Sequence, residues 1–183
     1  MQHECNPATC PCGELCCNRP FSMLGPVSSL PLRVFKTYQK GWGVLTTKDV
    51  NEGELVVEYV GEAIDADTWE ARKRQLGRFD HFYFMALNAD EIVDASRKGN
   101  IARFINHSCY PNLQVEKWYV NRTPRLGLWA KRPIRAGEEL SYNYSVKWTG
   151  NQDHAQECHC GSHNCTGFLG RAPKGAVTPK SRA

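Results

Sequence analysis

Cysteine spacing constrains this chain more than any other feature of its sequence. Five of the nine cysteines lie before residue 18, three lie after residue 157, and Cys109 stands alone between them. The pattern Cys158-x-Cys160-x4-Cys165 is too tight for pairing within itself but suits thiolates that converge on tetrahedral Zn²⁺. The odd count and the lack of an apolar signal segment at the start of the sequence also favour metal over disulfides. We therefore predict a zinc site in this region that takes Cys109 as its fourth ligand.

The N-terminal residues 1–20 form a second cysteine-rich stretch. Its thiols stand among Pro, Gly, Asn and Glu and belong to Cys5, Cys10, Cys12, Cys16 and Cys17. Because this stretch holds too few apolar residues to fold by burial, we expect a metal to hold it, with the binding energy serving as folding energy. Residues 21–33 contain Pro26, Pro31 and three serines and are predicted to be a connector.

Short strand patterns begin at Val34 and continue through the middle of the chain. Alternating apolar residues and Gly-rich turns predict strands at 41–45, 55–60, 82–87, 92–94, 113–120 and 126–131, with a turn at 121–125. Asp67-Thr68-Trp69-Glu70 resembles a capping box and Gly77 resembles a helix stop, so a short helix is predicted at 68–76. Many short strands with one brief helix indicate a mostly β domain.

Length and composition limit the class of protein. A chain of 183 residues with 41% hydrophobic residues can form one domain with small appendages. No apolar run approaches the roughly 20 residues that a membrane helix needs, so no membrane partner is expected. The net charge of +4 suits an enzyme that meets basic or nucleic-acid-bound substrates, but it supports only a weak DNA contact through basic residues. Residues 171–183 are rich in Lys, Arg, Pro and Ala and are predicted to be disordered.

The stretch from Arg103 to Cys109 combines groups with separate uses. Asn106 and His107 offer an amide, an imidazole and consecutive backbone groups, which together form a polar edge that can bind a heteroaromatic cofactor. Taken alone, the same residues fit equally well an Asx-type turn that carries a buried, inert cysteine. Tyr144 taken alone would be an ordinary strand tyrosine. Only the order of the motifs along the chain favours a functional site.

Four motifs follow one another along the chain. They are Lys40-Gly41-Trp42-Gly43, Arg103 to Cys109, Gly137-Glu138-Glu139-Leu140-Ser141-Tyr142-Asn143-Tyr144, and Cys158-His159-Cys160 with Cys165. With these motifs, which run across residues 34–170, the chain resembles the SET-domain protein lysine methyltransferases. Within that family it is most similar to the enzymes that methylate lysine 36 of histone H3. The subgroup match rests on Glu4-Cys5 to Cys17-Asn18, on His81 to Leu87 and on Lys117-Trp118.

The resemblance implies a fold and an activity. The implied fold is mostly β, a SET-domain fold of small β-sheets with a pseudoknot, flanked by cysteine-rich zinc modules. Its parts would be a truncated AWS-like zinc segment at 1–20, a SET domain at 34–146 and a post-SET zinc module at 154–170. The implied activity is transfer of methyl groups from S-adenosyl-L-methionine to a lysine of histone H3. The substrate would be the histone H3 tail or the nucleosome, in the nucleus and on the chromosome.

The resemblance also assigns roles to single residues. Tyr144 would be the catalytic tyrosine. The substrate lysine channel would be lined by Tyr83, Phe84, Met85 and Tyr142. The methyl donor would be surrounded by Lys40, Gly41, Trp42, Gly43, His81, Phe82, Tyr83, Asn106 and His107, with Gln156 and His159 closing over it from the C-terminal module.

Two zinc sites are implied in the same way. The post-SET zinc would bind Cys109, Cys158, Cys160 and Cys165. At the N-terminus Cys5, Cys10 and Cys16 match the ligands of one zinc in the family, but the residue that the family uses as the fourth ligand is not present. The fourth position would be taken by Cys12, Cys17 or His3. The related segments also contain further cysteines upstream that this sequence lacks.

Two other functions remain compatible with the sequence. One is a methyltransferase for another histone or for a non-histone lysine. The other is a catalytically silent chromatin-binding SET module, against which the presence of Tyr144, Asn106 and His107 argues. If the chain is active, Tyr142 favours mono- or dimethyl-lysine as its product, because a tyrosine hydroxyl at this position can hold a water or the amine itself.

Overall fold

Short strands and turns make up most of the chain in this computed structural model, which describes residues 2–24, 30–75, 83–145 and 156–169. The strands are β1 Gln2–His3, β2 Leu32–Lys36, β3 Trp42–Thr46, β4 Leu55–Glu58, β5 Glu62–Asp65, β6 Phe84–Ala86, β7 Glu91–Asp94, β8 Asn106–His107, β9 Leu113–Val120, β10 Thr123–Ala130 and β11 Ser141–Tyr142. The helices are α1 Pro20–Leu24 and α2 Ala66–Arg74, and 3-10 turns span Gly13–Leu15 and Ile101–Phe104. The prediction of a mostly β domain is confirmed.

The strands described here form small sheets around one main core. The largest sheet has the order β1-β9-β10-β4, and the others are β2-β3, β5-β7-β6 and the parallel pair β8-β11. Aliphatic side chains from several of these sheets meet at the centre, and the most deeply buried are Val44, Val56, Ile105, Leu113, Leu128, Ile134 and Leu140. No helix in the described ranges has the length and apolar character needed to span a membrane.

The turn between β9 and β10 is tighter than the sequence predicted. Val120 pairs directly with Thr123, so only Asn121 and Arg122 form the loop, and β10 begins three residues earlier than expected. Both loop residues have positive φ values of 49° and 69°. A two-residue loop of this kind matches the twist of the flanking strands, and Asn tolerates the left-handed conformation. Pro124 obscured the strand in the sequence because proline rarely lies inside a sheet.

The helix α2 begins earlier than predicted. Asp65, not Asp67, is its N-cap, and the Asp65 side chain accepts a hydrogen bond of 2.8 Å from the backbone N–H of Thr68. The helix therefore spans Ala66–Arg74 instead of 68–76, and the predicted stop at Gly77 lies outside the described residues. Other predicted strands differ by a few residues at their ends, as β4 stops at Glu58 and β6 begins at Phe84.

The N-terminal segment is attached to the body by more than its cysteines. β1 pairs with β9 in parallel, and the Glu4 carboxylate accepts hydrogen bonds from the Ser22 N–H and hydroxyl. The segment predicted to be a connector begins inside α1, where Phe21 is only 1% exposed and packs with Leu55 and Trp129. Sequence reasoning missed this anchor because one phenylalanine among Pro, Ser and Gly shows no periodicity.

The anchoring role of Phe21 gives a stability prediction. Phe21→Ala should lower the free energy of unfolding by about 3–5 kcal/mol, the usual cost of removing a fully buried aromatic side chain. Met23 lies on the same helix but is 69% exposed, so Met23→Ala should leave stability nearly unchanged. Chemical denaturation of both variants would measure the difference. Equal midpoints for the two variants would show that α1 does not hold the N-terminal segment.

Candidate active site

The parallel pair β8-β11 joins two of the sequence motifs. Asn106 lies opposite Ser141 and His107 lies opposite Tyr142. The Ser108 N–H continues the ladder by donating to the Tyr142 carbonyl at 3.1 Å. Two segments that are far apart in sequence are therefore fixed side by side, and the residues of both motifs face one another across this pair.

The side-chain amide of Asn106 has one defined orientation. Its Nδ2 donates to the Trp42 carbonyl at 3.0 Å and to Glu139 Oε1 at 3.0 Å. Both partners are acceptors only, so the nitrogen of the amide must face them. Among the described residues no donor is paired with Asn106 Oδ1, which leaves this oxygen available to a ligand.

The turn from Lys40 to Gly43 lies against the same groups. The Lys40 ammonium donates to both carboxylate oxygens of Glu139, at 2.9 and 2.7 Å. Gly41 has a φ of +70°, and a Cβ on Gly43 would come within 3.0 Å of Glu139 Oε1. Glycine is therefore needed at one position for backbone conformation and at the other for close packing. Trp42, whose backbone carbonyl contacts Asn106, is 54% exposed.

His107 connects two parts of the site. Its Nδ1 accepts a hydrogen bond of 3.1 Å from the Tyr144 N–H, and its Nε2 lies 3.4 Å from Cys109 Sγ. Burial lowers the pKa of His107, which favours the neutral imidazole. Because Nδ1 is the acceptor, these partners assign the ring proton to Nε2, which then donates toward the Cys109 sulfur.

Tyr142, which is buried, and Tyr144, which is partly buried, form an aromatic pair. Their ring centres are 4.7 Å apart, and the Tyr144 hydroxyl donates to the Ile105 carbonyl at 2.9 Å. Burial raises the pKa of both hydroxyls above their ordinary value. Both groups are therefore protonated at neutral pH, so they can orient other groups but do not supply a ready base.

Tyr59 and Tyr83 extend this aromatic cluster. The Tyr59 hydroxyl donates to the Tyr83 carbonyl at 3.0 Å, and burial raises the pKa of Tyr59. The Arg103 guanidinium lies 4.3 Å from the centre of the Tyr83 ring, within the range of a cation–π contact. Arg103 is itself fixed, since its Nε donates to the Ala95 carbonyl at 2.7 Å.

The residues predicted to line the lysine channel divide into two groups. Tyr83, Met85, Tyr142 and Tyr144 all belong to or pack against the main core. Phe84 lies between Tyr83 and Met85 at the start of β6, and the alternation of side chains along a strand directs it to the opposite face. Tyr83 and Met85 thus pack on the core side of this segment and Phe84 lies on the other side, and the lysine-channel role of all three stays a prediction.

The C-terminal cysteines converge as expected from their spacing. One ligand atom from each of Cys109, Cys158, Cys160 and Cys165 lies within 4.8 Å of the others. The Cys109 and Cys158 sulfurs are 3.9 Å apart, close to the roughly 3.8 Å expected for two thiolates on one tetrahedral zinc. Burial opposes ionisation of Cys160, yet hydrogen bonds from the Cys109 backbone and from Ser162 lower its pKa to about 6. These four thiols fit a zinc ion.

A second cluster lies at the N-terminus and contains three thiols. The sulfurs of Cys5, Cys10 and Cys16 lie within 4.8 Å of one another. Hydrogen bonds from the Cys12 backbone and the Cys16 thiol lower the pKa of Cys10 to about 7. His3 does not face the cluster but stacks on Tyr119, with ring centres 5.1 Å apart. All nine cysteines are free thiols, so no disulfide competes with metal binding.

Four residues predicted to contact the donor are not joined to the site by described contacts. His81 and Phe82 lie outside the described residues. Gln156 and His159 belong to the C-terminal cysteine module, where the Leu169 N–H donates to the Gln156 carbonyl at 2.9 Å and His159 Nε2 is 4.0 Å from Glu157.

Sequence reasoning missed two residues of the site, Glu139 and Tyr59. Glu139 follows Gly137-Glu138 in a turn, where a second acidic residue is indistinguishable from a solvated surface charge. Tyr59 ends an apolar strand pattern, so it was predicted only as part of a strand. The position of Glu139 inside the motif that also contains Tyr142 and Tyr144 was the one available signal for it.

The chain is similar to parts of much longer proteins. The human Histone-lysine N-methyltransferase, H3 lysine-36 specific, is 45% identical over 177 residues, which cover 95% of this chain and 6% of that protein. The mouse Histone-lysine N-methyltransferase NSD3 is 43% identical over 180 residues, which cover 97% of this chain and 12% of that protein. The chain therefore spans only a small part of the length of these curated relatives.

The comparison with solved structures and family models agrees with the fold. The methyltransferase domain of human Histone-lysine N-methyltransferase SETMAR matches with a TM-score of 0.79 and 32% identity, covering 93% of this chain and 67% of that chain. A family model of the SET domain matches residues 41–145, and a model of the AWS domain matches residues 1–23. The prediction of small β-sheets in a SET-domain fold is confirmed, and the chain belongs to the SET-domain family.

Proposed function

We propose that this chain is an S-adenosyl-L-methionine-dependent protein-lysine N-methyltransferase that acts on histone H3. The human relative quoted above and a mouse relative of the same name are called H3 lysine-36 specific, which favours lysine 36 as the target. The product would be mono- or dimethyl-lysine, and the enzyme would work on the histone tail or nucleosome in the nucleus. Basic residues on the surface would add at most a weak contact to DNA.

One observation carries this proposal, the placement of Tyr144 beside Asn106 and His107. The Tyr144 backbone is held by His107 Nδ1 at 3.1 Å and its hydroxyl by the Ile105 carbonyl at 2.9 Å. A partly buried tyrosine that is fixed at both its backbone and its hydroxyl can hold a reacting amine in one position. Positioning of this kind contributes up to about 7–11 kcal/mol to a two-substrate reaction.

The aromatic cluster explains how a lysine could react without a strong base. A free lysine has a pKa of about 10.4 and is protonated at neutral pH. A channel lined by Tyr59, Tyr83, Tyr142 and Tyr144 removes water and disfavours the ammonium form, so the proton leaves to solvent before transfer. The tyrosine hydroxyls and the carbonyls beside them then orient the neutral amine.

The methyl donor fits the groups around Asn106. When bound, S-adenosyl-L-methionine supplies an electrophilic methyl group on a positively charged sulfur. Asn106 Oδ1, the backbone of His107 and the exposed Trp42 indole offer an acceptor, backbone groups and a flat apolar surface to such a ligand. Lys40, Gly41 and Gly43 shape the turn beneath them. His81, Phe82, Gln156 and His159 would complete the site.

The cysteine clusters would hold structural zinc. Cys109 lies two residues after His107, so the ion on Cys109, Cys158, Cys160 and Cys165 would fasten the C-terminal module next to the site. At the N-terminus Cys12 is the preferred fourth ligand, because its thiol interacts with Cys10 while His3 is engaged with Tyr119. Cys12 and Cys17 are both exposed, and Cys17 is the second choice because its thiol has no such interaction with Cys10.

Incubation of the chain with labelled S-adenosyl-L-methionine and either nucleosomes, free histones or cell extract tests the function directly. Label on lysine 36 of histone H3 would support the proposal in full. Label on another histone site or on a non-histone protein would support the proposed methyltransferase activity but assign it a different substrate. Absence of any label, with the donor bound, would favour a silent chromatin-binding module.

Tyr144→Phe tests the catalytic assignment. The variant should lose roughly 10²-fold in kcat, the cost typical of misplacing a reacting group, while it keeps its fold and its donor affinity. Tyr38→Phe is the control, because Tyr38 is 98% exposed. Turnover and donor binding would be measured on both variants. Near-parental turnover in Tyr144→Phe would mean that another tyrosine performs this role.

Cys109→Ser tests the C-terminal zinc. The unmutated chain should contain about two zinc ions and the variant about one, with weaker donor binding because the C-terminal module loosens. Tyr38→Phe again serves as the control, since Tyr38 is 98% exposed and carries no thiol that could bind zinc. Elemental analysis and donor titration would measure both effects. Unchanged zinc content and donor affinity in Cys109→Ser would contradict this assignment.

Tyr142→Phe tests control of the product. A hydroxyl at this position resists the rotation that a third methyl requires, so its removal should add one methyl to the final product. A single group of this kind discriminates by about 1–3 kcal/mol, which sets the main product without excluding others. Mass spectrometry of the peptide at long reaction times would measure the products, with the first transfer as the internal control. Abundant trimethyl-lysine from the unmutated chain would show that Tyr142 does not limit the product.

A further inference from the structure

We infer that Glu139 is a positioning residue that sets both the affinity of the site for the methyl donor and its preference for the donor over the demethylated product. The inference rests on the proposed function. Glu139 contacts three residues of the predicted donor site, since it accepts hydrogen bonds from Lys40 and Asn106 and packs against Gly43. No other side chain in the described site joins these three.

Glu139 fixes the orientation of the Asn106 amide. Glu139 Oε1 and the Trp42 carbonyl, each 3.0 Å from Asn106 Nδ2, can only accept hydrogen bonds. A flipped amide would place Asn106 Oδ1 against two acceptors, so the flip is excluded while Glu139 is ionised. The free Oδ1 is thereby kept as an acceptor that faces a ligand.

Glu139 also neutralises the positive charge of Lys40. Its ammonium lies within 2.9 Å of both Glu139 oxygens, and the side chains of the two residues are only 23% and 28% exposed. Without Glu139 this cation would stand unneutralised in a site for a ligand with a positively charged sulfur. Like charges repel, so the loss would weaken a sulfonium ligand more than a neutral thioether.

Glutamine cannot replace Glu139 in both functions. If its oxygen faced Asn106, its NH₂ group would point at the Lys40 ammonium. If its oxygen faced Lys40, its NH₂ group would point at Asn106 Nδ2, and a compensating flip of Asn106 would leave the Trp42 carbonyl without its donor. Either arrangement loses a hydrogen bond to a charged partner, and neither neutralises Lys40.

Glu139→Gln in the full zinc-loaded chain tests the inference by calorimetric titration with S-adenosylmethionine and with S-adenosylhomocysteine. The Kd for S-adenosylmethionine should rise about tenfold, as expected from loss of a charge-assisted hydrogen bond. The Kd for S-adenosylhomocysteine should rise only about threefold. The unneutralised Lys40 charge repels the positively charged sulfur of S-adenosylmethionine but not the neutral sulfur of S-adenosylhomocysteine. At saturating donor, kcat should change little compared with the loss in donor affinity.

Glu138→Gln is a closely matched control. Glu138 also accepts from one asparagine amide, that of Asn112, and pairs with one basic side chain, that of Arg132. Its side chain is 30% exposed, close to the 28% of Glu139. Glu138→Gln should change neither the affinity for the donor nor the ratio between the two ligands.

Lys40→Met provides an independent test that keeps Glu139 and its bond to Asn106. The carboxylate then carries an unneutralised negative charge, so preference for S-adenosylmethionine over S-adenosylhomocysteine should increase roughly threefold. An unchanged ratio in both Glu139→Gln and Lys40→Met would overturn the inference while leaving the proposed function intact. Failure of the unmutated chain to bind either ligand would overturn both.

Discussion

The whole site depends on the two-residue parallel pairing of Asn106–His107 with Ser141–Tyr142. This pairing fixes the backbone of both segments, so the neighbouring side chains have defined positions. Asn106 then reaches the Trp42 carbonyl, His107 reaches the Tyr144 N–H, and Cys109 is directed to the C-terminal thiols. A pair of this length is weak by itself. It is stabilised by Ile105 and Leu140, which precede its two strands and are both fully buried.

Charge in this site is kept low by pairing and by burial. The Lys40 ammonium is neutralised by Glu139, His107 is favoured in its neutral form, and the buried tyrosines retain their protons. Arg103 lies against an aromatic face and backbone carbonyls. A site of this kind offers oriented dipoles to its ligands instead of free charges, which suits the proposed reaction, whose donor carries a positive charge and whose lysine must lose one before transfer.

The sequence was informative wherever residue spacing carries chemistry. The tight cysteine pattern predicted the convergence of Cys158, Cys160 and Cys165 on Cys109, because such spacing is typical of thiolates that share a metal. Apolar patterns predicted six of the eleven strands in the described ranges, with errors at their ends, but no strand range was predicted for β1, β2, β5, β8 or β11. The ordered motifs singled out Tyr142 and Tyr144, and the structure places both against His107.

Sequence reasoning failed where a contact joins residues without any local signal. Glu139 accepts a hydrogen bond from Lys40, 99 residues away in the sequence, and no pattern near either residue predicts this pairing. Phe21 is buried by Leu55 and Trp129, which belong to strands far along the chain. The φ values at Asn121 and Arg122 decided a turn that Pro124 had obscured. In each case tertiary packing overrode a weak local preference.

The long sequence separations have a consequence for the order of events during synthesis. Trp42 and Asn106 are 64 residues apart, and Cys109 and Cys158 are 49 residues apart. Contacts that close such long loops form late in folding. Strands β2 to β10 leave the ribosome before Ser141 to Tyr144 do. A nascent chain can therefore form most of its hydrophobic core before these residues of the proposed site are available. The proposed site is therefore completed in one late step, when Ser141 to Tyr144 and then the C-terminal cysteines reach a scaffold that already exists.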